Sequence, residues 1–247
     1  MMVKKMKVDV VIPVYNEEKA LSMSTKGLHS FLSKNLKGYD WSIIIADNAS
    51  TDSTLKIAKK LSKKVKRVGY VHLDKKGRGR ALRKVWLKSK ADIVSYMDVD
   101  LSTGLKAFPK MIDALAGKKR KKYQIGIGTR LVIGSETNRC LNREILSRGY
   151  NIFLKMMLFT SFTDAQCGFK AVTREAVEEI VSLTKNNKWF FDTEMLVLAE
   201  KKKYNIFEVP VTWIEDKDSK VHILRTIWEF ISSVVKMRID LFRRGIL

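Results

Sequence analysis

The sequence predicts an α/β fold, a mainly parallel central sheet flanked by helices. Three observations carry it. As far as Asp100, short β-branched runs alternate with stretches of helical periodicity. Each run stops at a cluster of turn formers, caps or charges. No internal repeat and no low-complexity linker breaks the pattern, so the chain reads as one domain, 1–219, with a C-terminal amphipathic helix at 220–247.

Val8 to Val14 is the first strand. It stops at Tyr15-Asn16-Glu17-Glu18, where Asn16 is placed to cap a helix running to about Leu32. Trp41 to Ala46 is the second strand. It ends in Asp47-Asn48-Ala49-Ser50-Thr51-Asp52, and a helix with Leu55, Ala58 and Leu61 on one face follows. Val68 to Leu73 is the third strand. Lys75-Lys76-Gly77-Arg78-Gly79-Arg80 then opens a helix through Ala81, Leu82, Val85 and Trp86. Ile93 to Met97 begins the fourth strand, which ends in Asp98-Val99-Asp100. Such β-α repetition calls for right-handed crossovers and a Rossmann-like sheet.

Beyond Asp100 the regularity loosens. Leu105 to Ala116 is helical, and Lys118 to Lys122 is a basic turn. Tyr123 to Thr129 is a strand, Asn142 to Phe159 a helix, and Thr163 to Lys170 a loop leading into Ala171-Val172. Helices follow at 175–183 and 193–202. Ile206 to Val211 is a last strand, at a sheet edge because Pro210 cannot donate to a ladder. A long helix spans Lys220 to Arg244, with Leu224, Ile227, Trp228, Ile231, Val234, Val235 and Phe242 on a broad apolar face.

Of the 247 residues, 45% are hydrophobic, enough for a sizeable core. No signal-peptide pattern or membrane-spanning apolar run is read in the chain. Cys140 and Cys167 cannot build a disulfide framework or a zinc site, and a reducing compartment is the default. Lys and Arg number 48 against 26 acidic residues, a net charge of +22 that seeks polyanions. A nucleic-acid module is the remote reading: no recognised motif is present, and aromatic residues do not interleave with the basic runs. A nucleotidyltransferase is a further outsider.

Asp98 and Asp100 are the candidate centre of the chemistry, although Asp-x-Asp by itself also reads as a strand-to-loop transition rich in turn formers. Residues i and i+2 of an extended chain point to one side, so a strand end would aim both carboxylates into one crevice. Hard oxygen ligands on one side suit Mg²⁺ or Mn²⁺ and leave positions for water and phosphates. In open α/β sheets ligands bind at the carboxyl ends of the strands.

In order and spacing, Pro13-Val14-Tyr15-Asn16-Glu17, Asp47-Asn48-Ala49-Ser50-Thr51-Asp52-Ser53-Thr54 and Asp98-Val99-Asp100 resemble the motifs of the family 2 glycosyltransferases, which have the GT-A fold. Asn48 and Ala49 depart from the family's Asp-Gly. Asp164 to Lys170, Trp189 to Glu194, and Glu208 to Trp213 look like the dolichyl-phosphate glucosyltransferase branch, and the mannosyltransferases share the plan.

The resemblance implies inverting transfer of glucose or mannose from a UDP- or GDP-linked donor to a polyprenyl (dolichyl) phosphate. It implies a site on the cytoplasmic membrane face. A saccharide or protein acceptor is the alternative. Asp98 and Asp100 would hold the metal, with Asp100 the better direct ligand. Pro13, Val14, Tyr15, Glu17, Asp47, Asn48, Lys75, Gly77, Arg78, Val99 and Lys220 would serve the nucleotide sugar. Gly77-x-Gly79 offers amides to a phosphate, and Lys220 could swing over the diphosphate. Arg130, Arg143 and Arg148 are the candidates for an acceptor phosphate, which suits their planar forks. Asp164 is the residue for a general base if the acceptor needs one. The C-terminal helix would meet an anionic membrane surface.

Overall fold

The computed structural model describes residues 5–138, 141–214 and 223–246. The first half follows the alternation: β1 (Lys7–Val14), α1 (Leu21–Asn35), β2 (Asp40–Asn48), α2 (Thr54–Lys64), β3 (Val68–Leu73), α3 (Arg78–Lys88) and β4 (Ile93–Met97). Then come α4 (Phe108–Leu115), β5 (Ile125–Thr129), β6 (Glu136–Asn138), α5 (Leu141–Leu158), β7 (Phe169–Thr173), α6 (Arg174–Glu179), α7 (Phe191–Lys201), β8 (Ile206–Pro210), β9 (Thr212–Ile214) and α8 (Ile223–Arg243).

The main sheet has seven strands in the order β3-β2-β1-β4-β7-β5-β8, and β6 pairs with β9 in a small second sheet. Pairing is parallel except at β7, which runs antiparallel to both β4 and β5. Pro210 ends β8, and β8 is an edge strand as its proline requires.

Alternation along each strand feeds two cores. On β1, Val8, Val10, Ile12 and Val14 face Leu21, Leu28 and Leu32 of α1, Ala58 of α2, and Phe108 and Met111 of α4. Val11 faces the opposite layer, with Leu82 and Trp86 of α3, Leu154 and Leu158 of α5, Met195 and Leu196 of α7, and Phe230, Val234 and Leu241 of α8. The molecule is thus a three-layer α/β/α sandwich. Phe230 of α8 stacks on Tyr150 of α5, centroids 5.2 Å apart. Trp228 and Phe242 of the same helix are exposed.

Three local expectations are corrected. Asn16 does not cap a helix: its φ is +55°, and α1 starts only after a turn, at Leu21. Its side-chain amide instead exchanges hydrogen bonds with Thr51, which ties the two strand ends together. The stretch from Thr163 to Lys170 is not loop throughout, because Phe169 and Lys170 already belong to β7. Leu55 is only half-buried on α2, whose buried face is Thr54, Ala58 and Leu61.

Candidate active site at the ends of the parallel strands

The site is built where β2, β1 and β4 end side by side. Val14 of β1 pairs with Asp47 of β2, with Pro13 one step behind opposite Ala46. Asp47 is fully buried. Its Oδ2 lies 2.6 Å from His72 Nδ1, and its Oδ1 has no hydrogen-bond partner. A buried carboxylate oxygen without a donor is expensive unless a ligand N–H or O–H fills the vacancy. Asn48 Oδ1 accepts the Gly77 N–H at 2.7 Å. The Glu17 N–H donates to Thr54 Oγ1 at 2.8 Å. Lys76 Nζ sits 3.5 Å from the centroid of the Tyr15 ring, and Lys75 beside it is exposed.

The glycine pair at the start of α3 has a packing job. A Cβ at Gly79 would lie 2.5 Å from Phe191 Cβ and 2.7 Å from the Asn186 carbonyl oxygen. The Arg80 N–H donates to the Asn187 carbonyl at 3.2 Å. The glycines let α3 press against the segment before α7, and the Gly77 and Arg80 amides are already engaged.

Beyond Met97 the chain leaves the strand and turns. The Leu101 N–H donates to the Asp98 carbonyl at 3.1 Å, with Leu101 at φ +51°. Asp98 and Asp100 therefore come from a tight turn rather than from one face of an extended strand. Val99 between them is buried and anchors the turn. Asp98 is partly exposed and Asp100 exposed, its Oδ1 accepting the Ser102 N–H at 3.0 Å.

A network of buried charges stands behind this turn. Arg78 Nη1 is 2.7 Å from Asp98 Oδ1, and Arg78 Nε is 3.9 Å from Asp192 Oδ2. The guanidinium lies over the rings of Tyr96, at 4.9 Å, and Trp189, at 4.7 Å. Burial would lower the Arg78 pKa, but the charges of Asp98 and Asp192 raise it above its ordinary value. Asp192 Oδ1 accepts the Tyr96 hydroxyl and lies 3.2 Å from Lys170 Nζ. That ammonium also donates to the carbonyls of Cys167, at 2.6 Å, and Ala165, at 3.0 Å. Burial and the Asp192 charge push the Tyr96 hydroxyl well above its ordinary range.

Arg130, just past β5, forms a bidentate pair with Asp164, Nε to Oδ2 at 2.8 Å and Nη2 to Oδ1 at 2.9 Å. The backbone N–H groups of Arg130 and Gln166 donate to the same carboxylate, each at 3.1 Å. Four donors fill the lone-pair sites of a carboxylate. Burial would raise the Asp164 pKa, yet Arg130 holds it below the ordinary carboxylate value. A carboxylate so engaged orients Arg130; it has no lone pair left for a substrate proton. The guanidinium faces the ring of Trp213 at 5.6 Å.

The structure thus gathers Asp98, Asp100, Arg78, Val99, Asp47, Asn48 and Gly77 around the strand ends. Arg148 is on α5, paired with Glu144 at 2.6 Å on an exposed surface. Arg143 lies in α5 with its side chain outside the described residues, as is all of Lys220. Sequence reading missed Lys170 and Tyr96. The signal was a lysine inside an apolar strand, which is buried only with partners.

Two carboxylates fit a divalent ion as half of a shell. They are hard oxygen donors, and Asp98 already draws a cationic side chain. Among the described residues no group of three or more His, Cys, Asp or Glu side chains could hold a metal by itself. The rest of the shell would come from water and donor phosphates.

The fold and this cluster of strand-end carboxylates define a nucleotide-sugar type of transferase site. Residues 9–181 match the model of glycosyl transferase family 2, and the chain belongs to that family as a glycosyltransferase enzyme. It is 31% identical over 230 residues to Glycosyltransferase AglD of Haloferax volcanii, covering 93% of this chain and 36% of that protein. It is 31% identical over 222 residues to the dolichyl-phosphate beta-glucosyltransferase of Homo sapiens, covering 86% of this chain and 68% of that one. Among solved structures, glucosyl-3-phosphoglycerate synthase from Mycobacterium tuberculosis with UDP superposes at a TM-score of 0.68. The identity is 20%, over 95% of this chain and 80% of that one. The same enzyme with Mn²⁺, UDP and phosphoglyceric acid gives a TM-score of 0.67 at 18% identity. At such identity the likeness shows a shared GT-A architecture, as expected. The Mn²⁺ in the second of these structures agrees with the expected Mg²⁺ or Mn²⁺.

The expected acceptor and membrane partner are corrected. Polyprenyl phosphate met at an anionic membrane surface does not stand. The solved structure with Mn²⁺ and UDP holds phosphoglyceric acid, which has no lipid tail. Among the described residues no helix is long and apolar enough to cross a membrane. Arg130 pairs with Asp164 and Arg148 with Glu144. The buried side of α8 packs into the core, with Phe230 against α5.

Proposed function

We propose that the protein transfers glucose from UDP-glucose to a hydroxyl group of a small hydrophilic acceptor, saccharides being the first class to test, with UDP leaving and the hydroxyl proton passing to solvent water, and that the reaction depends on Mg²⁺ or Mn²⁺. The observation that carries this reading is the Asp98–Val99–Asp100 turn at the end of a central strand, beside buried Asp47 and cationic Arg78. The solved structures of the same fold, which hold UDP-glucose and Mn²⁺, support it.

Asp98 and Asp100 would hold the ion, which when bound offsets the charge of the departing diphosphate. Asp47 Oδ1, buried and without a donor, accepts an N–H of the base or a ribose hydroxyl. Glu17 stands at the neighbouring strand end for the same moiety. The Tyr15 ring with Lys76 above it, and Lys75, line the donor side with positive charge. Arg130, fixed by Asp164 and facing Trp213, forms the acceptor-side wall.

The test is UDP release from UDP-glucose with a panel of saccharides and small phosphorylated acids, in Mn²⁺, Mg²⁺ or chelator. Release should depend on acceptor and metal and vanish in Asp100→Asn with the fold intact. Full activity in excess chelator, or preference for a GDP-linked donor, overturns the reading.

A further inference from the structure

We propose that Arg78 competes with the divalent ion for Asp98 and yields by sliding toward Asp192. This rests on Asp98 being a metal ligand, as proposed above.

The guanidinium lies between two carboxylates in unequal positions. It holds Asp98 through Nη1 at 2.7 Å, while Nε stops 3.9 Å from Asp192 Oδ2. That Nε is a buried donor with no hydrogen-bond partner. An unmade bond of this kind is costly. A short displacement toward Asp192 completes it and releases Asp98. The rings of Tyr96 and Trp189 flank the group at 4.9 and 4.7 Å, and attraction to a ring face survives a small slide. Trp189 is 47% exposed, so its side of the track can give.

Charge balance sets the direction. Asp98, Asp192, Arg78 and Lys170 together sum to zero, with Lys170 and the Tyr96 hydroxyl already serving Asp192 Oδ1. A divalent ion on Asp98 makes Arg78 a repelled neighbour. Asp192 Oδ2 is the acceptor within reach. Two cations a few ångströms apart repel strongly at low effective dielectric. The free protein therefore keeps Asp98 neutralised, and the ion must displace a side chain to bind.

The experiment is calorimetric titration of the intact protein and of Arg78→Gln with Mn²⁺, with and without UDP, far-UV circular dichroism checking the fold. Without nucleotide, Arg78→Gln should bind Mn²⁺ at least tenfold more tightly than the intact protein. Equal or weaker binding by the folded variant overturns the competition. Should Arg78→Gln not fold, the Arg78 Nε–H resonance of the intact protein, assigned by its loss in Arg78→Lys, is followed on Mg²⁺ addition. It should shift as the Nε bond forms, and an unmoved resonance at saturation overturns the proposal. If the intact protein binds no Mn²⁺ even with UDP, the metal reading itself fails.

Discussion

The backbone of Gly168 lies against the carboxylate of Asp98. A β-carbon at 168 would sit 1.7 Å from Oδ2 and 2.4 Å from Cγ of that aspartate. The Asp98 N–H also donates to the Gly168 carbonyl at 3.2 Å, so the two residues are fixed to each other. Gly168→Ala must push the Asp98 side chain out of place. The expected cost in stability is about 1–3 kcal/mol, the range for overpacking. Transfer should fall far more than folding does, by about a hundredfold, the scale of a misplaced reacting group. Initial rates and a melting curve on the same preparation check this; near-normal rates would show that Asp98 tolerates displacement.

The Arg130–Asp164 pair is buried and bidentate. Removing either partner leaves a lone charge, so Arg130→Met and Asp164→Leu should each cost about 3–5 kcal/mol. The double variant should cost clearly less than the two together. Urea unfolding of all four proteins gives the coupling, and simple additivity would show that the pair does not act as a unit.

Acid should find this pair. Asp164 has its folded pKa depressed by Arg130 despite burial. The unfolded chain, with an ordinary value of about 3.9, takes up the proton first. The pair's contribution is therefore complete above that value and drains away as pH falls toward the lower folded value. Urea midpoints between neutral pH and pH 3 should fall more steeply for the intact protein than for Asp164→Asn.

Cys167 should be inert in the native protein. It is fully buried, and burial pushes its thiol up to about 12. Alkylation by iodoacetamide at pH 8 should proceed only as fast as the molecule opens, and urea should accelerate it in step with unfolding. Rapid modification under native conditions would contradict the packing around β7.

The parallel half was legible because each strand is a run of β-branched residues with its own local signal, and each ends in polar residues where the sheet ends. The strand-end positions of Asp47, Asp98 and Asp100 could be read from that alone. The partners of Arg78 could not. Its charge marks it locally for a phosphate, yet the groups that hold it, Asp98 and Asp192, come from β4's turn and from α7. β7 was half hidden because Lys170 interrupts its apolar pattern, and only the tertiary structure supplies the carbonyls and carboxylate that let a lysine be buried there. β6 and β9 are three residues each, below the length at which alternation can be read. Asn16 carried a correct residue type with the wrong use, because its partner Thr51 is on another strand end.

The placement of β7 also makes the order of assembly matter. β1 to β4 can pair through short crossovers, but Met97 finds its partner in Phe169, on a strand contributed much later in the chain. Closing so long a loop is entropically slow compared with the local crossovers. Until β7 arrives, Asp98 lacks Gly168 behind it and Asp192 lacks Lys170, so a nascent chain can pair β1 to β4 before the surroundings of Asp98 are complete. Pulse-labelled hydrogen exchange during refolding should protect the amides of β1 and β2 before those of β7, with metal affinity appearing only in the second phase.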